Sequence, residues 1–232
     1  MKTPINATTL RQHWHYSWWK YVLIIAVSLL MWNLIYSMTA PRTPDDEKLD
    51  IYIYGFGNEE TLQAYMRRIH EEHFPDLKEI NAMFITEDEY GPMVLSTRIA
   101  AGEGNLYIFP RDTFQSYANQ GVFIPLEDME GVVEMCESAG LKLERGWRKN
   151  QETGERHLYG VPVSSFKSLR SIYASGEMYM CLRIMNPNEE DAEKMFRILL
   201  EDGIRSLHET AAEEPAPDAS SADPENTEKP AA

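Results

Sequence analysis

The chain has 232 residues, of which 37 are acidic and 22 basic, giving a formal net charge of −15, and 43% of its residues are hydrophobic. That length suits one globular domain with extensions. The acid excess argues against nucleic-acid binding, whose affinity comes from Lys and Arg neutralising phosphates, and against docking of the folded part on an anionic membrane surface.

The charge is unevenly placed. Residues 1–20 hold Lys2, Arg11 and Lys20 and no acid, and Tyr21 to Tyr36 (YVLIIAVSLLMWNLIY) follow without any charge. With Trp18-Trp19 before it and Ser37 to Ala40 behind it, the apolar run reaches the ~20 residues that cross a ~30 Å hydrocarbon core. Trp14, Trp18, Trp19 and Tyr21 at one end and Trp32 and Tyr36 at the other fit aromatic belts at two water interfaces, and Asn33 is tolerable in a single span. Basic residues before the run and Asp45, Asp46 and Glu47 after it predict a cytoplasmic residue 1–17 segment, a transmembrane helix over 18–40, and the rest of the chain outside the cell membrane. A cleaved secretory signal is the rival. It needs small residues in an A-x-A-like arrangement, and the bulky Met38 stands two positions before Ala40. No Cys stands directly behind the run, over residues 37–48, to carry a processed lipid anchor.

Residues 41–48, with Pro41, Pro44 and five charges, read as a short stiff spacer. Leu49 to Tyr54 (LDIYIY) reads as a strand ended by Gly55-Phe56-Gly57. Asn58 can then cap a helix with Glu59 and Glu60 in its first turn and Leu62, Tyr65, Met66 and Ile69 as its apolar stripe, stopped by Phe74-Pro75-Asp76. Glu79 to Ile85 is a second strand. Thr86 to Ala101 is helical, interrupted or started late by Gly91-Pro92. Asn105 to Phe109 is a third strand, followed by a helix over Asp112 to Gln120 and an extended piece, Val122 to Leu126. Strands alternating with helices predict an α/β fold with a mostly parallel sheet flanked by helices.

Further on, Val132 to Ala139 is helix-like, and Leu141 to Val163 reads as a hairpin turning near Asn150 to Gly154. Met178 to Met185 is an apolar strand, and a helix with Glu189, Glu190 and Asp191 in its first turn carries Ala192, Met195, Phe196, Leu199 and Leu200, with Gly203 as its terminator. Residues 209–232 hold seven acids, one Lys and four prolines without an aromatic or β-branched aliphatic residue. Such a tail cannot bury enough apolar surface to order itself, and it reads as solvated, a partner-binding role standing as the alternative. The folded domain is thus expected over 49–208. Cys136 and Cys181 read as buried free thiols, a disulfide being allowed outside the membrane.

Enzyme motifs are weak. Gly55-Phe56-Gly57 opens a helix, but Glu60 stands where a dinucleotide fingerprint needs its third glycine. His70-Glu71-Glu72-His73 spaces its imidazoles at i, i+3, where the metalloprotease motif needs i, i+4. Ser164-Ser165 has no recognisable base. The reading is a non-enzyme with no cofactor and no metal.

The stretch LDIYIYGFGNEETLQAYMRRIHEEHFPDLKEI, then TRIAAGEGNLYIFPRDTFQSYANQGVFIPLEDM, resembles the first lobe of bacterial extracellular solute-binding proteins of sugar-importing ABC transporters. TGERHLYGVPVS resembles that family's hairpin into the inter-lobe hinge, and CLRIMNPNEEDAEKMFRILLEDG the segment returning to the first lobe. The resemblance covers roughly residues 49–130 and 153–203. It implies one lobe of a periplasmic-binding-protein-like fold. Members close two lobes on a ligand, yet between Val163 and Met178 only fourteen residues, Ser164 to Glu177, stand where a second lobe of on the order of 100 residues belongs. A single open face buries little of a small ligand, so any carbohydrate should bind weakly.

Open α/β sheets place ligands at the carboxyl ends of their strands. The candidate ligand residues there are Gly57, Asn58 and Glu59 after the first strand, Arg111 and Asp112 after the third, and Tyr159 beside the hinge. Each has an ordinary reading: Asn58 as helix cap, Glu59 as dipole partner, Arg111 and Asp112 as a surface pair, Tyr159 as core. Two functions follow. One is a membrane-anchored, solute-binding-like accessory to carbohydrate transport or sensing, working with an ABC permease or a two-lobed binding protein. The other is a membrane-tethered interaction scaffold that has lost ligand capture.

Overall fold

The computed structural model describes residues 7–39, 43–173, 176–184 and 188–213, with side chains described from Trp18 to His208, Glu209 included. It divides into two units, residues 1–43 and residues 44–232.

The first unit is one helix, α1 (Ala7–Thr39). Its part from Trp18 to Thr39, 22 residues, is long and apolar enough to cross a membrane. Leu30, Trp32 and Met38 are each at least 70% exposed. A helix apolar on every side and uncovered by protein has no face suited to water.

The second unit opens earlier than the predicted spacer end. Asp45–Glu47 form a 3-10 turn, Lys48 pairs with Asp45 at 2.9 Å, and Lys78 pairs with Glu47 and also donates its backbone N–H to the Glu47 carbonyl. These ties convert the last spacer residues into the entry to the sheet. The strands are β1 (Lys48–Tyr54), β2 (Glu79–Ile85), β3 (Leu106–Pro110), a hairpin of β4 (Trp147–Lys149) and β5 (Arg156–Leu158), β6 (Val161–Pro162) and β7 (Met178–Leu182). The helices are α2 (Glu59–His73), α3 (Gly91–Ala100), α4 (Arg111–Ala118), α5 (Val132–Ser138), α6 (Lys167–Arg170) and α7 (Glu189–Glu213). The main sheet has the order β2-β1-β3-β7-β6. β1 runs parallel to both neighbours, and β7 alone is reversed, antiparallel to β3 and to β6.

Strand alternation sorts the interior into two chemistries. Leu49, Ile51 and Ile53 of β1, Leu106 and Ile108 of β3, and Met178, Met180 and Leu182 of β7 face an aliphatic core closed by α2, α5, α6 and α7. The alternate residues, Tyr52, Tyr54, Tyr107, Phe109, Tyr179 and Cys181, face an aromatic core closed by α3 and α4. Rings of this core stack: Phe114 lies 4.6 Å from Tyr179 and Tyr107 5.1 Å from Phe109. Central strands buried on both faces explain why β1 and β3 read as continuous apolar runs. Cys136 belongs to the aliphatic core and Cys181 to the aromatic one, both as buried free thiols. Burial pushes the Cys136 thiol up to about 12.

Two expectations need correction. Gly203 does not end its helix: α7 continues to Glu213, because Phe166 lies against Gly203 and only a residue without a Cβ fits beneath the ring. The helix therefore runs five residues into the segment expected to be a tail, while residues 214–232 lie outside the described residues. The extended piece Val122 to Leu126 carries one bridge, Phe123 to Arg183, and runs into a 3-10 turn at Leu126–Asp128.

Candidate functional site

The strands' carboxyl ends form an edge along which the chain turns out of β1, β2 and β3, leaves β6, and enters the reversed β7. Beyond β1, Gly55 donates its N–H to the Ile85 carbonyl and turns the chain with φ 142°, a value suited to glycine. Asn58 caps α2, its side-chain oxygen accepting from the Thr61 N–H at 3.0 Å. Glu59 is exposed and accepts from Gln63 at 3.0 Å. A Cβ on Gly57 would come within 2.3 Å of the Ile172 carbonyl oxygen, so this glycine admits the chain's own backbone.

That backbone belongs to Ser164 to Glu177, the segment standing where a second lobe is expected. It contains α6, buries Phe166, Leu169, Ile172 and Tyr173, and bridges Tyr173 to Gly57. The Asn58 N–H donates to the Ile172 carbonyl at 2.8 Å, and the Arg111 N–H to the Glu177 carbonyl at 3.0 Å. Its two ends meet: the Val163 N–H donates to the Met178 carbonyl at 2.9 Å, and the Met178 N–H to Ser164 Oγ at 2.7 Å. The segment thus straps the edge from β1 to β6, touching three of the six candidate residues.

Arg111 does not pair with Asp112. Its guanidinium lies 3.8 Å from Glu177, which also accepts from Arg145 at 2.5 Å and from the Tyr179 hydroxyl at 3.1 Å. Partial burial opposes charge on Glu177, but the hydrogen bonds from Arg145 and Tyr179 and the charges of Arg145 and Arg111 outweigh it and hold the carboxyl below its usual range. Burial, then Glu177, push the Tyr179 phenol up to about 12. With its amide assigned so that the oxygen faces the two guanidinium groups, Gln115 accepts from Arg111 Nε at 3.1 Å and from Arg148 Nη2 at 2.8 Å. A hollow of about 450 Å³ adjoins this cluster, bounded among others by Lys142, Arg145, Ser164, Glu177 and Tyr179. Asp112 is exposed at the start of α4. Tyr159 is 2% exposed and belongs to the aromatic core, its ordinary reading.

The far end of the edge differs. Phe56 and Tyr90, on the turns leaving β1 and β2, and Met93, at the start of α3, are 54%, 64% and 62% exposed, among the most exposed large apolar side chains of the described second unit. Exposed Glu59, Glu60, Glu87 and Glu89 accompany them. Asp88 orders the β2 turn by accepting from the Thr86 hydroxyl and the Tyr90 and Gly91 N–H groups, and these bonds, the Thr86 one foremost, hold its carboxyl below the usual range. The edge is acidic and aromatic at one end and rich in arginine at the other. Sequence reading names Arg111 but misses Arg145, Arg148, Glu177 and Tyr179, which converge from separate stretches with no shared motif.

Elsewhere, His70 Nε2 lies 2.8 Å from the Leu77 carbonyl and His73 3.8 Å from Glu72, so the two imidazoles serve different partners.

No protein-family model and no curated protein matches the chain. Among solved structures it is similar to a family 1 extracellular solute-binding protein from Alicyclobacillus acidocaldarius, at 19% identity and a TM-score of 0.39, over 52% of this chain and 29% of that one. It is similar to the ABC substrate-binding protein Lmo0181 of Listeria monocytogenes, solved with cycloalternan, at 18% identity and a TM-score of 0.38, over 50% and 28%. A solute-binding protein from Agrobacterium vitis, solved with D-mannitol, matches at 16% identity and a TM-score of 0.36, over 50% and 27%. The chain spans less than a third of the length of each.

Proposed function

We propose that this chain is a membrane-anchored extracytoplasmic module, built like one lobe of a solute-binding protein, that assists carbohydrate uptake or sensing by presenting its strand edge to an ABC permease or to a separate two-lobed binding protein. The observation that carries the reading is the exposure, among carboxylates, of Phe56 and Tyr90 on the turns after β1 and β2 and of Met93 at the start of α3. Large exposed apolar groups on a polar rim mark interaction sites, and this edge is where open α/β sheets meet their ligands. Without a facing lobe the rim buries little of a sugar, so free saccharides bind weakly and a partner completes the site.

The test is calorimetric titration of the full chain in nanodiscs with mono- and oligosaccharides. Dissociation constants no tighter than about 0.1–1 mM are expected, because an open face forfeits most of the burial of a closed cleft. Phe56→Ala with Tyr90→Ala should abolish the signal. A micromolar constant from a monomer would defeat the open-edge reading. A second reading, an interaction scaffold without ligand capture, is favoured by the strap itself, since Ile172 and Tyr173 occupy the backbone positions beside Gly57 and Asn58. Silence across the saccharide panel, both alone and with the permease or two-lobed binding protein present, would select it.

A further inference from the structure

We propose that Arg111, Arg145 and Arg148 form a binding site for an oxyanion, the carboxylate or phosphate group of a small ligand, at the β3–β7 end of the edge. In a chain of net charge −15, three guanidinium groups gather here around Glu177 and Gln115. Glu177 is the one carboxylate ion-paired with them among the described residues, and it is already engaged by Arg145 and the Tyr179 hydroxyl. Arg111 and Arg148 both donate to one neutral oxygen, that of Gln115, which holds two positive groups together without neutralising either. Arg148 Nε is buried and has no hydrogen-bond partner among the described residues, while its guanidinium lies 5.8 Å from the Phe114 ring centre. Arg148 Nη1 donates to the Trp147 carbonyl at 3.2 Å, which holds its fork beside the exposed fork of Arg111, and two neighbouring forks suit a planar or tetrahedral oxyanion bound through paired N–H bonds. Burial, and then the charges of Arg111 and Arg156, already make the Arg148 cation less favourable, so an arriving anion relieves repulsion. The adjoining hollow of about 450 Å³ leaves room for the body of a small ligand.

This site is independent of the carbohydrate reading, because Phe56 and Tyr90 stand on the turns after β1 and β2, at the other end of the edge. The full chain in nanodiscs of zwitterionic lipid is titrated at low salt with glucuronate, with glucose as its neutral counterpart, and with inorganic phosphate as competitor. Saturable binding of glucuronate, at least about tenfold tighter than the weak binding of glucose and displaced by phosphate, is expected. Arg148→Gln and Arg111→Gln should each weaken it by at least about tenfold, the scale of a lost charge-assisted hydrogen bond, and Arg67→Gln on the α2 surface should not. Arg111 is exposed, so its substitution keeps the test valid if the Arg148 variant fails to fold. Equal affinity in wild type and both variants, equal binding of glucose, or no anion binding at all would overturn the proposal. So would binding that appears only after residues 214–232 are removed, which would assign the arginines to the chain's own acidic tail.

Discussion

Phe166 and Gly203 interlock at the base of the strap. An added Cβ at Gly203 would meet Phe166 Cδ2 at 2.2 Å, and Phe166 is fully buried, so its ring has nowhere to turn. Gly203→Ala therefore sets two effects against each other. Alanine gains ~1 kcal/mol of helix propensity within α7, while overpacking a closed core costs ~1–3 kcal/mol. With no room to relax, the clash wins. The expected net loss is about 1–2 kcal/mol, read as a lower denaturant midpoint, and Phe166→Leu in the same chain should recover part of it. An alanine variant as stable as wild type would show that the ring can yield. From sequence, Gly203 looks like a helix terminator because its partner is remote in the chain. The same remoteness hides Arg148 and Glu177.

The β4–β5 hairpin is fastened to the body by His157. Its Nδ1 lies 2.7 Å from Glu127, its Nε2 3.5 Å from Glu155, and Glu127 also accepts from the Leu158 N–H at 2.8 Å. The hydrogen bond to Glu127 is the main cause that raises the imidazole pKa above its ordinary value of 6.5. A pKa raised by folding stabilises fully below the unfolded value, and that contribution is lost as pH rises through the folded value. The thermal midpoint of wild type relative to His157→Gln should therefore narrow from about pH 6.5 upward. A difference unchanged between pH 6 and pH 9 would refute the role of the charge. Among the elements, those with a local code were legible: the apolar runs of β1 and β3, the stripe of α2 with its Asn58 cap, and the late start of α3 at Gly91-Pro92. The two-residue β6, the reversal of β7 and the path of the strap carry no local code, because each is set by pairing with strands already in place.

For the molecule as a whole, the span Trp18–Thr39, flanked by Lys2, Arg11 and Lys20 on one side and acids on the other, leads to a topological expectation. The full 26.7 kDa chain should stay with the membrane until detergent is added, and protease applied to intact cells should remove its acidic end. A shorter soluble form cut near Ala40, or a tail protected until lysis, would refute an uncleaved anchor with its bulk outside. The hydrogen-bonded meeting of Val163 with Met178 carries one more consequence. The main chain departs and comes back at a single doorway in the sheet, so whatever lies between can lengthen without rethreading a strand. Closure entropy grows only with the logarithm of the excursion. The lobe is thus a socket, able to carry either its fourteen-residue plug, Ser164 to Glu177, or an entire grafted domain on the same frame.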